Sequence, residues 1–275
     1  MISSTHTSSI NASLVPRHAE LLASLEQKGH LTISELTSSL KVSEQTIRRD
    51  LKKLEDQGLL IRFHGGASSL SSASSTRPQI LVNKNIELRE VSMVQEKEQI
   101  AQKVAALIPD GSTVFITIGT TVERIAAALA TKNALLVITD SLRVASLLYR
   151  NRNIKVIVPS GQLSPSNGGI EGSQTINDLG NFRADFFITS VGAIASDGTL
   201  LDFNISEVEA AKVMQRNATC SIIACDHSKF TAAASVKLAN LNEMDYLVTD
   251  KIPNEELRHM VHNAGVKVIE TTTLA

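Results

Sequence analysis

Residues 32–67 read TISELTSSLKVSEQTIRRDLKKLEDQGLLIRFHGGA, and the organisation of the whole chain follows from how that stretch is parsed. Thr32 precedes Glu35 by three residues, the spacing at which a hydroxyl and a carboxylate cap each other's backbone amides at a helix start. Ile33, Leu36 and Leu40 give that short helix a buried stripe, and Val42 fills a turn. Ser43 can cap a second helix, in which Ile47, Leu51 and Leu54 share one face at spacings of four and three. Gly58 ends it, Leu59 to Arg62 reads as a strand, and His64-Gly65-Gly66 as the turn of a small wing.

The other face of the second helix offers Gln45, Thr46, Arg48, Arg49, Lys52 and Lys53. An isolated charge run of this kind is usually a solvated helix face. Here it follows a capped helix and turn and precedes a Gly-Gly wing, which together make a winged helix-turn-helix that recognises double-stranded DNA. In such a motif the start of the second helix enters the major groove, where base edges carry a sequence code. Gln45, Thr46 and Arg48 are placed to read bases, while Ser43, Arg49, Lys52 and Lys53 suit phosphates. Arg62 and His64 are candidate wing contacts.

Working outward, Met1 to Ser13 is rich in Ser and Thr and reads as a disordered arm. Leu14, Leu21, Leu22 and Leu25 mark a first helix that Gly29 stops, so the DNA-binding domain spans 14–67. Ser68 to Ser75 is low-complexity and Arg77 to Arg89 carries few apolar residues, giving a linker over 68–90 with an extended bridge at its end. From Val91 to the C-terminus, helix-like stretches alternate with short apolar runs such as VFITI, LLVIT, IKVIVP, FFITSV, SIIAC and YLVT. That alternation argues a doubly wound, mostly parallel α/β domain over 91–275.

The composition is that of a soluble globular protein, with 43% apolar and 20% charged residues among 275. The sequence has no run near the roughly 18 apolar residues needed to span a bilayer, and Met1 to Ser13 lacks signal-peptide character. A cytoplasmic location without membrane contact follows by default. Cys220 and Cys225 read as small hydrophobes rather than a disulfide pair, since an odd separation in a strand puts them on opposite faces. No zinc spacing and no cofactor motif stands out. The formal net charge is −1, and between Lys41 and Arg62 six basic residues face four acidic ones, so one copy of the reader should bind weakly. Affinity then depends on pairing, in a homodimer or homotetramer.

The run VSEQTIRRDL at 42–51, followed by RFHGGA at 62–67, resembles the signature of the DeoR family of bacterial sugar-metabolism repressors. The resemblance implies that the C-terminal half is a sensor domain similar in fold to ribose-5-phosphate isomerase and responsive to an anionic sugar. Family elements appear as TIGTT at 117–121, TD at 139–140, SG at 160–161, SEV at 206–208 and DHSKF at 226–230. Thr117 stands where the family usually has Asp, Asp140 where it has Asn, and Ser160 where it has Gly. Within the family, IPDGSTVFITIGTTVE and the stretch around NFRAD resemble the glycerol-3-phosphate repressors and the regulator of sulfoquinovose use.

The residues themselves point to the same place. Several apolar runs end in small or polar residues, and in an open parallel sheet such ends share one edge, where ligands bind. Gly119, Thr120 and Thr121 lie between a strand and a helix, where free N–H groups favour an anion, and Lys229 can add a point charge. Asp140, Ser141, Gly161, Glu207 and Asp226 complete the candidate effector site. Arg183 is either a further phosphate or sulfonate contact or a surface ion-pair residue.

Two other functions compete. An isomerase needs a carboxylate base, yet Thr189 to Ile194, TSVGAI, replaces the acidic DGAD run of the isomerases it resembles. A constitutive DNA-binding protein would use the large domain only to assemble. A Ser-rich linker transmits orientation poorly, which leaves open whether part of 68–89 packs on the sensor domain.

Overall fold

The computed structural model describes residues 16–28, 30–56, 59–63, 66–69 and 86–271. The chain divides into two compact units, Met1–Arg77 and Pro78–Ala275. The expected arm over 1–13, the stops at Gly29 and Gly58, and the His64-Gly65 tip lie outside the described residues.

In the first unit α1 (Pro16–Lys28) is followed by β1 (His30–Thr32), α2 (Ile33–Leu40), α3 (Glu44–Asp56), β2 (Leu60–Phe63) and β3 (Gly66–Ser69). The capping box at Thr32 forms: its backbone N–H donates to Glu35 Oε2 at 2.7 Å, and Glu35 N–H donates to Thr32 Oγ1 at 3.2 Å. Lys41 in the left-handed region, φ 51°, breaks α2. Ser43 accepts from Thr46 N–H at 3.3 Å and starts α3. Leu21, Leu25, Leu31, Leu36, Ile47, Leu51, Leu54 and Leu60 bury into one core. Asp50 is 6% exposed on the inner side of α3 and accepts from Arg17 Nε at 2.6 Å and His18 Nε2 at 3.1 Å, which fastens α1 to α3. The strands form an antiparallel sheet in the order β1-β3-β2. Sequence periodicity missed β1, whose three residues are too few to show a period. It also cut the wing short: Ser68 and Ser69, assigned to the linker, belong to β3, because pairing with β1 and β2 takes up their backbone groups.

The first described element of the second unit is α4 (Ile86–Val91), which corrects the extended bridge expected over Arg77 to Arg89 at its residues 86–89; the rest of that bridge lies outside the described residues. The sequence of α4, IELREV, is too short for helical periodicity to be read, and packing decides it. Then come α5 (Val94–Leu107), β4 (Thr113–Ile116), α6 (Thr120–Leu129), β5 (Leu135–Thr139), α7 (Leu142–Leu148) and β6 (Ile154–Ile157). A short hairpin, β7 (Gln162–Leu163) and β8 (Ile170–Glu171), leads to α8 (Ser173–Gly180), β9 (Ala184–Thr189), β10 (Ala193–Ile194), β11 (Thr199–Asp202), α9 (Ile205–Arg216) and β12 (Ala218–Ala224). A 3-10 turn (His227–Phe230), β13 (Val236–Asn240), β14 (Tyr246–Thr249), α10 (Glu255–Asn263) and β15 (Lys267–Glu270) complete it.

Seven strands form one parallel sheet in the order β15-β14-β12-β9-β4-β5-β6. Side chains alternate between two cores: Phe115, Phe187, Ile223 and Leu247 meet α8, α9 and α10, while Ile116, Ile188, Ile222 and Val248 meet α5, α6 and α7. Both faces are thus covered, which is why the strands read as unbroken apolar runs. The chain winds from β4 to β6, then returns to β9 beside β4 and winds the other way. The β4–β9 boundary is therefore the topological switch point, the place where open α/β sheets bind ligands. A small antiparallel sheet, β10-β11-β13, packs beside it.

Candidate functional site

Two surfaces carry chemistry, one in each unit. On α3 the buried Ile47, Leu51 and Leu54 turn Ser43, Gln45, Arg48, Arg49, Lys52 and Lys53 outward, all exposed, with Thr46 half-buried. Arg48 meets Glu44 one turn earlier at 3.2 Å, with side chains 60% and 62% exposed. A surface pair of this kind is worth only about 0.3–0.5 kcal/mol, so a phosphate or a base edge displaces it readily. Arg49, Lys52 and Lys53 have no ion-pair partner among the described residues. Arg62 is drawn toward α3 instead, where its guanidinium meets Glu55 at 3.3 Å. His64 lies outside the described residues.

The second surface is the edge of the parallel sheet where the strands end. At the switch point Thr117, just past β4, and Thr189, ending β9, share a hydrogen bond between their hydroxyls at 2.9 Å. Gly119 then turns the chain into α6 with φ 141°, a conformation L side chains resist, and Thr120 and Thr121 are buried in its first turn. The free N–H groups of that ten-residue helix face the edge, with the positive end of its dipole.

Cations gather on one side. Lys97 of α5 is 3% exposed, and its Nζ donates to the backbone oxygens of Arg89 and Ser92, the latter at 2.8 Å, and to Thr120 Oγ1 at 3.1 Å. Burial lowers its pKa to about 8, against the pull of nearby Asp226 and with Lys229, Arg89 and Arg124 adding like charge. Lys229 stands in the 3-10 turn that Asp226, buried beyond β12, caps by accepting from Ser228 N–H at 3.0 Å.

Carboxyls gather among them. Asp140 directly follows β5 and is 1% exposed; burial, then the charges of Glu207 and Glu171, push it up to about 8, so it is largely protonated at neutral pH. Glu207 in the first turn of α9 is raised by burial, and its Oε1 accepts from Asn167 Nδ2 at 2.7 Å and Asn204 Nδ2 at 3.0 Å. Asp202 is likewise raised by burial, with Arg89 and Lys229 close enough to oppose the shift. Among the described residues, the buried side-chain polar atoms without a hydrogen-bond partner are Arg89 Nε and Asp140 Oδ1, and both belong to this cluster.

Gly119, Thr120, Asp140, Glu207, Asp226 and Lys229 thus meet along one edge, joined by Lys97, Arg89 and Asp202, which sequence reasoning missed. Lys97 did leave a signal: it sits on the same face of α5 as the buried Ile100, Ala101 and Val104. Ser141 is fully buried and caps α7 by accepting from Val144 N–H at 3.2 Å. Gly161 lies against the backbone of Glu171, whose charge acts on Asp140; a Cβ at Gly161 would lie 2.7 Å from Glu171 O. Arg183 is exposed and directly precedes β9, at the strand's amino end, which favours the surface reading over the phosphate contact.

Comparison with known proteins places both units. Residues 17–73 match the DeoR-like helix-turn-helix domain and residues 92–251 the DeoR C terminal sensor domain. The chain is 44% identical to the HTH-type transcriptional repressor CsqR of Escherichia coli over 92% of this chain and 94% of that one. It is 40% identical to the glycerol-3-phosphate regulon repressor of Haemophilus influenzae over 86% and 89% of the two chains. Ribose 5-phosphate isomerase A from Neisseria gonorrhoeae aligns with half of the chain and 53% of its own at 16% identity and a TM-score of 0.37, a likeness too distant to carry a functional argument. The chain belongs to the DeoR family of transcriptional repressors, with a helix-turn-helix reader and a C-terminal sensor domain.

Proposed function

We propose that the protein represses a carbohydrate-use operon and is released from its operator by a phosphorylated or sulfonated sugar bound at the strand-end edge of the sensor unit. The observation that carries this reading is that Arg89 Nε, a buried cationic donor, and Asp140 Oδ1, a buried carboxyl oxygen, both lack a hydrogen-bond partner among the described residues. Such groups are costly to leave unpaired. The helix start with Lys229 suits an anion, and Asp140, Glu207 and the amides of Asn167 and Asn204 suit sugar hydroxyls. The chain's similarity to glycerol-3-phosphate regulon repressors supports the anionic class.

The DNA contacts are Ser43, Gln45, Thr46, Arg48, Arg49, Lys52 and Lys53, with Arg62 and His64 from the wing. Pairing of copies through the sensor unit, as a homodimer or homotetramer, sets two α3 helices in successive major grooves. Action on a bacterial operator puts it in the cytoplasm at the nucleoid, and no described helix is long and apolar enough to cross a membrane. The test is calorimetry with glycerol 3-phosphate, hexose phosphates and a sulfonated hexose beside their uncharged parents. Binding of an anion and not of its parent supports the reading, whereas no binding by any of them leaves a constitutive DNA-binding protein.

A further inference from the structure

Lys97 does more than neutralise charge near the sugar site: it joins that site to the first described element after the DNA-binding unit. Each proton of its ammonium is used, on Arg89 O at the end of α4, on Ser92 O in the connection to α5, and on Thr120 Oγ1 in the first turn of α6. The same short helix is held from its other side, where Glu90 pairs with Arg143, which also takes Glu123 of α6 at 2.8 Å. Its Arg89 guanidinium lies near enough to Asp202 and Glu207 to oppose their upward shifts. The segment that continues from the linker is therefore strapped across groups that would meet an effector.

We infer that Lys97 is the positioning residue that couples effector binding to α4, the first described element after the DNA-binding unit: an anion at the start of α6 strengthens its grip on Arg89 and Ser92, and so tightens α4 against the sensor unit. Thr120 is the joint. Its hydroxyl oxygen accepts from Lys97, and its own proton is then free to be donated to an anion seated on the N–H groups of residues 120 and 121. Such an anion adds negative charge close to a buried ammonium, and only the charged ammonium can supply three donors. The facing groups are mixed: Asp226 favours the charged lysine, and Lys229, Arg89 and Arg124 oppose it. Burial already brings its pKa to about 8, so a second negative group is felt strongly. The direction follows: effector and strap stabilise each other.

This inference rests on the anionic-effector reading, and hydrogen exchange with operator-release measurements on the full chain separates the two. In the ligand-free protein, Lys97→Met should speed amide exchange over 86–93 by about tenfold or more while protection in β4 and β9 stays at the wild-type level. Lys97→Arg, which keeps the charge and the donors, should restore most of the protection. With an anionic sugar that wild-type binds, exchange over 86–93 should slow in the wild type and not in Lys97→Met. Operator release should be lost in Lys97→Met at sugar phosphate concentrations that calorimetry shows to saturate that variant. Raising the pH from 7 to 9.5 should loosen 86–93 in the wild type and leave the methionine variant unaffected. Unchanged exchange over 86–93 in Lys97→Met, or full operator release by it, would overturn the coupling even with the effector site intact. A wild-type protein that binds no anionic sugar overturns the functional reading instead, and the ligand-free exchange comparison still decides whether the strap exists.

Discussion

Replacing Asp140 by Asn should stabilise the sensor unit at neutral pH, an unusual outcome for a change at a buried polar residue. Asp140 is 1% exposed, its Oδ1 has no partner, and its pKa is pushed up to about 8 by burial and by Glu207 and Glu171. In the unfolded chain the same carboxyl ionises near its ordinary value of 3.8. An acid raised in this way favours the folded state fully only below its ordinary value, and that contribution is lost as pH rises toward about 8. At pH 7 the gap is about three pH units at about 1.4 kcal/mol each, so folding carries a penalty of ~4 kcal/mol from this group. Asparagine removes that penalty and adds an unpaired amide costing about 1–3 kcal/mol, which leaves a net gain of about 1–3 kcal/mol. For a unit of this size that is a rise in Tm of roughly 2–10 °C. Tyrosine fluorescence during urea unfolding reports this unit alone, because Tyr149 and Tyr246 both lie in it and the chain has no tryptophan. The gain of Asp140→Asn should be largest at pH 7–8 and vanish or reverse near pH 4. A variant with the same pH slope as the wild type, or one less stable throughout, would refute the account of a buried neutral acid.

Further outcomes follow from the two surfaces. Asp50→Ala should destabilise the DNA-binding unit by about 1–3 kcal/mol, read in its thermal transition, since Arg17 and His18 lose their shared acceptor. Burial raises the Asp50 pKa, but hydrogen bonds from Arg17 and His18 outweigh it and leave it lowered, so the wild-type advantage over Asp50→Ala should persist at neutral pH and fade only in acid. Arg48→Ala should weaken operator binding by about 1–3 kcal/mol and relax preference at one base position, measured across single-base operator variants. Equal loss on every sequence would make Arg48 a phosphate contact. Lys229→Ala should keep operator affinity and raise the effector concentration needed for release; loss of operator binding would make the residue structural.

The DNA-binding unit was legible because its cues are local: Thr32 and Glu35 cap each other, and the spacing of Ile47, Leu51 and Leu54 sets the face of α3. The parallel sheet was legible because strands buried on both faces carry unbroken apolar runs. What the sequence hid depends on distant packing. The spacing of Lys97 from Ile100, Ala101 and Val104 marks it as inward-facing, but its acceptors appear only once α5 is laid against α6, and Arg89 reads as part of a polar bridge until α4 forms. Asp50 counts as one of four acids offsetting the basic face until its side chain is seen turned inward. Arg183 stayed open in the sequence between a phosphate contact and a surface residue, because nearness to a strand says nothing until the strand's direction is known.

The most direct test of the central claim follows operator release itself. Operator DNA selected from genomic fragments by the protein is labelled, and its fluorescence anisotropy is titrated with repressor in the presence of anionic sugars or their uncharged parents. The account predicts that at least one phosphorylated or sulfonated sugar lowers operator affinity by about tenfold or more while its parent has no effect. Operator affinity left unchanged by an anion that calorimetry shows to saturate the sensor unit would contradict it.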